Sequence, residues 1–278
     1  MSTVLAWGTV RPASFPDRVA AAAAAGYDAI GLSVPYYRHL REQGWTHAEM
    51  RRVLDDFGIS IGEVEVIFGF CAEPGPANVP ERPGLVYADP EVEAVVLRLA
   101  DEFGVPHAQA VGTFDTEPPG ERAVRAFAAL CDRAAPHGLS IALEFVPYTN
   151  IPDVATAATI VSAAGRPNGG LCVDSWHFFR GNADWHELAK AGSESFTMVQ
   201  VNDGPVVAET GNVRLEAVSR RRCPGQGEFD LRRFLDVVRP PGDPRPISVE
   251  VYSTALDRLP SADAARAALA GLPDLLRR

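Results

Sequence analysis

A chain of 278 residues with 46% hydrophobic and 22% charged positions can bury a large core and has the make-up of an ordinary globular protein. Its formal charge of −10 opposes a polyanionic partner, because nucleic-acid affinity rests mostly on Lys and Arg, and the one basic cluster, Arg220-Arg221-Arg222, is too short to change that. No apolar run approaches the ~20 residues of a membrane span and the N-terminus lacks a signal-like layout, so neither nucleic acid nor membrane is expected as a partner.

The expected elements alternate along the chain. Val4 to Gly8 reads as strand one. Ser14 then opens a helix, with Pro16 in its first turn and Asp17 at its third position, and Gly26 supplies a left-handed stop. Strand two is Ala29 to Ser33. Thr46-His47-Ala48-Glu49 is a second capping-box pattern, starting a helix that runs to Phe57 and stops at Gly58. Strand three, Ile59 to Phe68, leads into a Pro- and Gly-rich loop up to Ala88. Asp89-Pro90 begins the next helix, with Val92, Val95, Val96 and Leu99 on one face.

Strand four is Ala108 to Gly112, and its helix runs from Pro119 to Ala135 with Val124, Phe127, Leu130 and Cys131 as the apolar stripe. Strand five, Leu139 to Phe145, precedes a helix after Pro152. Strand six is the run Leu171 to Asp174, with His177 in the loop just beyond and a helix around Asp184 to Ala191. Strand seven is Phe196 to Asn202, and a long loop, Gly204 to Glu228, separates it from a helix capped by Asp230. Strand eight, Ile247 to Tyr252, is followed by an alanine-rich helix from Ser261. Cys71, Cys131, Cys172 and Cys223 have no close pair and read as buried thiols, which fits a reducing cytoplasm.

Eight strands alternating with eight helices, without a linker-like break, predict a single (β/α)8 barrel domain over residues 1–278. A doubly wound open sheet is the rival, but Trp7-Gly8-Thr9-Val10-Arg11 is not the Gly-rich phosphate turn such a sheet would carry after its first strand.

In a barrel the carboxyl ends of all strands face one mouth, so Glu144, Asp174, Gln200 and Glu250, ending strands five to eight, converge. Each carboxylate taken singly reads as a solvated or helix-capping side chain. Together they would repel without a cation, and an all-oxygen donor set favours one hard divalent ion, Mn²⁺ or Mg²⁺, with Co²⁺ admissible and zinc less suited without imidazole. The loops Phe68 to Ala88 and Gly204 to Glu228 are candidate lids. Glu63 and Glu65, two apart on strand three, share one face, either into the barrel or toward the helices.

Along almost its whole length the sequence resembles the xylose isomerase-like TIM barrels, which include sugar 3-epimerases, inosose and dehydroshikimate dehydratases and endonuclease IV. The matching features are Glu144, Asp174-x-x-His177, Glu250 and Arg222-Cys223-Pro224-Gly225-Gln226-Gly227, with Ser14-Phe15-Pro16-Asp17-Arg18 and Ala24 to Ile30 at the start. The resemblance implies that Glu144 and Glu250 are paired metal ligands and acid/bases, Asp174 a ligand, and His177 a catalytic imidazole touching substrate oxygen. It also implies that Arg222 binds substrate, with Arg221 the alternative if that residue faces inward. Gln200 stands where the epimerases have His and is similar to the dehydroshikimate dehydratases. The implied function is a divalent-metal-dependent isomerase or epimerase of a small keto-sugar or related keto-polyol, with a dehydratase as the alternative. The partner is then a small-molecule substrate, and homo-oligomerisation is compatible with the fold. An endonuclease IV-like nuclease would need further histidines after strands two, three and seven, where this chain has none, and a non-catalytic barrel would have no use for the ligand set.

Overall fold

The computed structural model describes residues 2–79, 82–240 and 242–277. Eight parallel strands close into a barrel in sequential order: β1 (Thr3–Leu5), β2 (Ala29–Ser33), β3 (Ser60–Phe68), β4 (His107–Val111), β5 (Ser140–Glu144), β6 (Gly169–Asp174), β7 (Phe196–Val201) and β8 (Ile247–Val249), the last pairing with the first. Closure rules out the doubly wound sheet.

Local chemistry explains most helix boundaries. Helix α1 (Phe15–Ala25) is capped by the Ser14 hydroxyl, which accepts from the Asp17 N–H at 3.3 Å, and ends at Gly26 with φ +89°. Helix α2 (Val34–Glu42) was not expected; Ser33 caps it by accepting from Tyr36 N–H, and Pro35 sits in its first turn. Helix α3 (His47–Phe57) carries the full Thr46–Glu49 capping box. Helix α4 (Pro90–Phe103) starts at Asp89, while α5 (Gly120–Ala134) and α6 (Val154–Ala164) cover β5 and β6. Phe127 of α5 is fully buried, so truncating it to alanine would cost about 3–5 kcal/mol. All four cysteines are buried and free. Among the described residues no helix is long and apolar enough to cross a membrane.

Strands one and eight end earlier at the mouth than expected, for one reason. Strand one stops at Leu5 and Trp7–Val10 turns into a 3-10 helix; strand eight stops at Val249. Between them the Thr9 hydroxyl donates to Val249 C=O at 2.8 Å and accepts from Val251 N–H at 2.9 Å. A side chain thus takes over from the backbone ladder and lets both chains peel outward. The segment after Asp174 is also different from expectation: it is not a loop but helix α7 (Ser175–Arg180), so His177 lies in a helical first turn. Helix α8 (Trp185–Ala191) follows. Within 204–228 the short helix α9 (Val213–Ala217) is embedded, ahead of α10 (Leu231–Val238), α11 (Ser261–Leu269) and α12 (Leu272–Leu276). The 68–88 loop contains a two-stranded ladder, Gly75–Pro76 with Val86–Tyr87; its residues 80 and 81 lie outside the described residues.

Glu63 and Glu65 point into the barrel. Glu63 accepts from the Ser248 hydroxyl at 2.8 Å and Glu65 from Tyr252 OH at 3.0 Å. Burial, with Glu65 beside it, pushes the Glu63 carboxyl up to about 8. An unfolded glutamate titrates near ~4.3, so the native state holds the extra proton between these values and loses stability as pH rises through them. The Glu63→Gln variant should therefore show a flatter fall in unfolding free energy, measured by urea denaturation from pH 5 to 8, by up to about 1.4 kcal/mol per pH unit. An unchanged slope counts against a buried neutral Glu63.

Candidate active site

The site is assembled from strand ends. Glu144 is the last residue of β5 and Asp174 the last of β6; Gln200 lies on β7 in register with Asp174 and Ser248, and Glu250 follows β8 directly. All four are buried, Asp174 and Gln200 completely.

Asp174 has two tasks. Its Oδ1 caps α7, accepting from Trp176 N–H at 2.5 Å and, at the weaker distance of 3.4 Å, from His177 N–H. Asn202 donates to the same carboxylate at 3.0 Å, and Arg221 Nη1 donates to Oδ2 at 2.7 Å. Burial alone would raise this carboxyl, but Arg221, His177 and Asn202 together hold it below its ordinary value.

Capping also places the imidazole. His177 turns Nε2 to within 3.5 Å of Glu144 Oε1, its ring edge-on to Tyr148, while its buried Nδ1 has no hydrogen-bond partner among the described residues. Burial pushes its pKa down to about 4, so the ring is neutral at ordinary pH. Ligand atoms of Glu144, Asp174 and His177 lie within 4.8 Å of one another.

Glu250 shares Arg221 with Asp174: the same Nη1 reaches Glu250 Oε2 at 2.8 Å. Gln200 Nε2 donates to Glu250 Oε1 at 3.1 Å, and Cys172 Sγ donates to Gln200 Oε1 at 3.2 Å. The amide therefore turns its nitrogen to Glu250, and must exchange its two ends to serve as the oxygen ligand expected. Burial raises Glu144 and Glu250 well above ordinary carboxylates, Asp174 adding to the effect on Glu144 and Arg221 opposing it for both.

The arginine at the mouth is Arg221, not Arg222. Arg221 is 4% exposed, anchored by Nε to Ala217 C=O at 2.7 Å and flanked by the Trp176 and Tyr252 rings. Arg222 turns outward to Glu209 at 2.7 Å. The following Cys-Pro-Gly-Gln-Gly segment shapes this choice through Asp203, a residue the sequence reading did not single out. Asp203 is buried and accepts from the N–H groups of Gly204, Gly225 and Phe229. Gly225 adopts φ +82°, and a Cβ on Gly227 would come within 2.2 Å of Asp203 Oδ1. Asn202 was likewise missed; its signal is only its position one residue beyond a strand that already ends at the mouth.

Glu144, His177, Arg221, Glu250, Glu65 and Tyr252 line one cavity of about 70 Å³, roofed by Phe68, Phe114 and Tyr148. Trp176 and Phe178 are packed in the core.

With this geometry in view the comparisons with known proteins are decisive for kinship. A family described as xylose isomerase-like TIM barrel matches residues 19–275. The chain belongs to that family. A 3-dehydroshikimate dehydratase of Pseudomonas aeruginosa is 28% identical over 256 residues, 89% of this chain and 38% of that protein. An inosose isomerase of Bacillus velezensis is 33% identical over 125 residues, 44% of this chain and 43% of that protein. The chain thus spans about four-tenths of the length of these curated relatives. Among solved structures, the IolI protein with a bound zinc atom superposes with a TM-score of 0.83 at 21% identity, covering 99% of this chain and 98% of that one. The probable 3-DHS dehydratase AsbF of Bacillus anthracis does so with a TM-score of 0.75 at 16% identity, over 98% and 99%. These two likenesses show the fold.

Removing Arg221 from this xylose isomerase-like barrel leaves two buried carboxylates without their cation. Arg221→Gln should cost about 3–5 kcal/mol in the metal-free protein, as for other broken buried pairs. Arg222→Gln, which loses only a surface pair, should stay within about 1 kcal/mol. Urea denaturation of both variants checks this, and equal losses would show that the two arginines are not distinguished by burial. Gly227→Ala should cost about 1–3 kcal/mol by overpacking against Asp203, read as a lower melting temperature.

Proposed function

We propose that this protein enolises a small keto-polyol at a divalent-cation site, acting as an isomerase or epimerase. The observation that carries this is two buried glutamates on one cavity with unlike surroundings. Glu250 accepts from Arg221 and Gln200, whereas Glu144 has only the His177 imidazole within ion-pair reach among the described residues.

The residues present fit a divalent ion. Glu144, Asp174 and His177 would hold it, with Glu250 beside them and Gln200 joining if its amide turns over. The imidazole makes the donor set mixed N and O, so Zn²⁺ and Mn²⁺ suit it as well as Mg²⁺ or Co²⁺, and the zinc in the IolI structure supports the same reading. A cation held there supplies positive charge beside the oxygen on which negative charge develops.

The rest of the chemistry falls to side chains. Glu250, oriented by Arg221 and Gln200, takes the proton next to the substrate carbonyl. Glu144, the second acid on the cavity, returns a proton to the product. His177, neutral and with Nε2 turned to Glu144, stands beside the substrate oxygen. The Phe68, Phe114 and Tyr148 roof excludes water from this exchange.

Dehydration is the second reading, in which a β-hydroxyl leaves instead of a proton returning. It is favoured by the dehydroshikimate dehydratase match along 89% of the chain and by Gln200 at the strand-seven position.

The test is proton exchange in D₂O with Mn²⁺ or Zn²⁺ present. Keto-inositols, keto-sugars and 3-dehydroshikimate are offered, with deuterium uptake and enone absorbance as readouts. We expect uptake next to the carbonyl, loss of activity on chelation with recovery on metal return, and a fall of about 10²–10⁴-fold in Glu250→Gln. Parent-like exchange in Glu250→Gln, or no exchange with any keto-polyol, sinks the proposal; enone without solvent exchange into recovered substrate moves it to the dehydratase.

A further inference from the structure

A second cavity, of about 580 Å³, opens beside the one that holds Glu144 and Glu250, and the two share Glu65, Val66, Phe68, Arg82, Val218 and Tyr252. In a chain of formal charge −10, the wall of this larger cavity carries, among the described residues, four arginines, Arg11, Arg38, Arg82 and Arg214, against two carboxylates, Glu65 and Asp89. A concave wall of one sign concentrates ligands of the other.

The four are not equivalent. Arg11 is paired with Asp257, and Arg214 lies over the Phe114 and Tyr148 rings. Arg38 stands 3.9 Å from Asp89 and 3.7 Å from Glu91, too far for hydrogen bonds, and its buried Nη2 has no hydrogen-bond partner among the described residues. Arg82 lies on the wall common to both cavities. Its guanidinium rests 4.7 Å from the Phe68 ring centre and 5.5 Å from that of Phe114, and among the described residues no carboxylate pairs with it. Glu65, the acid on the same wall, is already engaged by Tyr252 OH at 3.0 Å and Trp7 N–H at 3.2 Å. A guanidinium set beside two rings still has its fork of N–H donors, which matches an oxyanion.

We propose that the substrate carries an oxyanion group, a carboxylate or a phosphate ester, which Arg82 binds edge-on while the keto-polyol portion reaches Glu144 and Glu250. The arginine wall attracts the anionic end and so sets the orientation. This inference rests on the proposed enolising site for the position of the reacting end, but not for the anion contact itself.

Calorimetric titration tests the contact without turnover, using D-gluconate for a carboxylate, inorganic phosphate for a phosphate group, and myo-inositol as the neutral control. Affinity for one of the anions should fall about tenfold or more in Arg82→Gln and largely return in Arg82→Lys, with the melting temperature unchanged and the response to myo-inositol the same. Whichever anion responds identifies the group. Equal anion affinity in parent and Arg82→Gln, or no anion binding by the parent, overturns the inference. Failure of the two readings is separable. Deuterium uptake by a neutral keto-inositol, with equal anion affinity in parent and Arg82→Gln, keeps the enolising site and removes the anion contact. Anion binding lost in Arg82→Gln with no uptake by any substrate does the reverse.

Discussion

The barrel mouth depends on one nitrogen. Arg221 Nη1 lies 2.7 Å from Asp174 and 2.8 Å from Glu250, and so joins strand ends that are far apart in sequence. Carboxylates this deeply buried are tolerated only when a positive charge or a proton answers each of them. Arg221 answers two, Glu144 and Glu63 answer with raised proton affinity, and the imidazole beside Glu144 stays neutral. Removing the arginine would therefore disturb the ionisation of the whole group and not one contact.

Much of the surrounding structure keeps that guanidinium in place. Ala217 C=O holds its Nε, Trp176 and Tyr252 flank it, and the 222–229 turn is wound around the Asp203 carboxylate. Asp174 ties the same arrangement to α7, because the oxygen that caps the helix belongs to the carboxylate that receives Arg221. Helix capping, ion pairing and the placement of His177 are thus a single device. Kinship with the xylose isomerase-like barrels agrees with this: members of one fold share a mouth where a few strand-end residues are grafted, and chemistry varies by which donors stand there and what the adjoining walls attract.

A large part of the fold was legible beforehand because its signals are local. Ser14, Thr46 and Asp89 cap helices by bonds spanning two or three residues, and Gly26 and Gly58 stop them by backbone freedom alone. The strand-end carboxylates were legible for a related reason, since an apolar run that ends in Glu or Asp can be read without knowing its neighbours. Helices α2 and α7 were passed over because each follows a strand without a break; Ser33 and Asp174 end a strand and cap a helix at once. Asn202 and Asp203 were given no role because their partners are distant in sequence, 28 residues away at Asp174 and 22 away at Gly225.

By itself the sequence determined the alternation of eight strands and their helices, hence one mouth, and it determined which carboxylates reach that mouth. Tertiary structure alone decided which arginine joins them. Asp203 and Arg222 exchange both backbone hydrogen bonds at 2.8 Å in an antiparallel bridge, and neighbouring side chains on extended backbone point to opposite faces. With Arg222 held toward Glu209 and the solvent, Arg221 is left facing the carboxylates, an outcome that depends on a pairing 19 residues apart and on no property of the two arginines themselves.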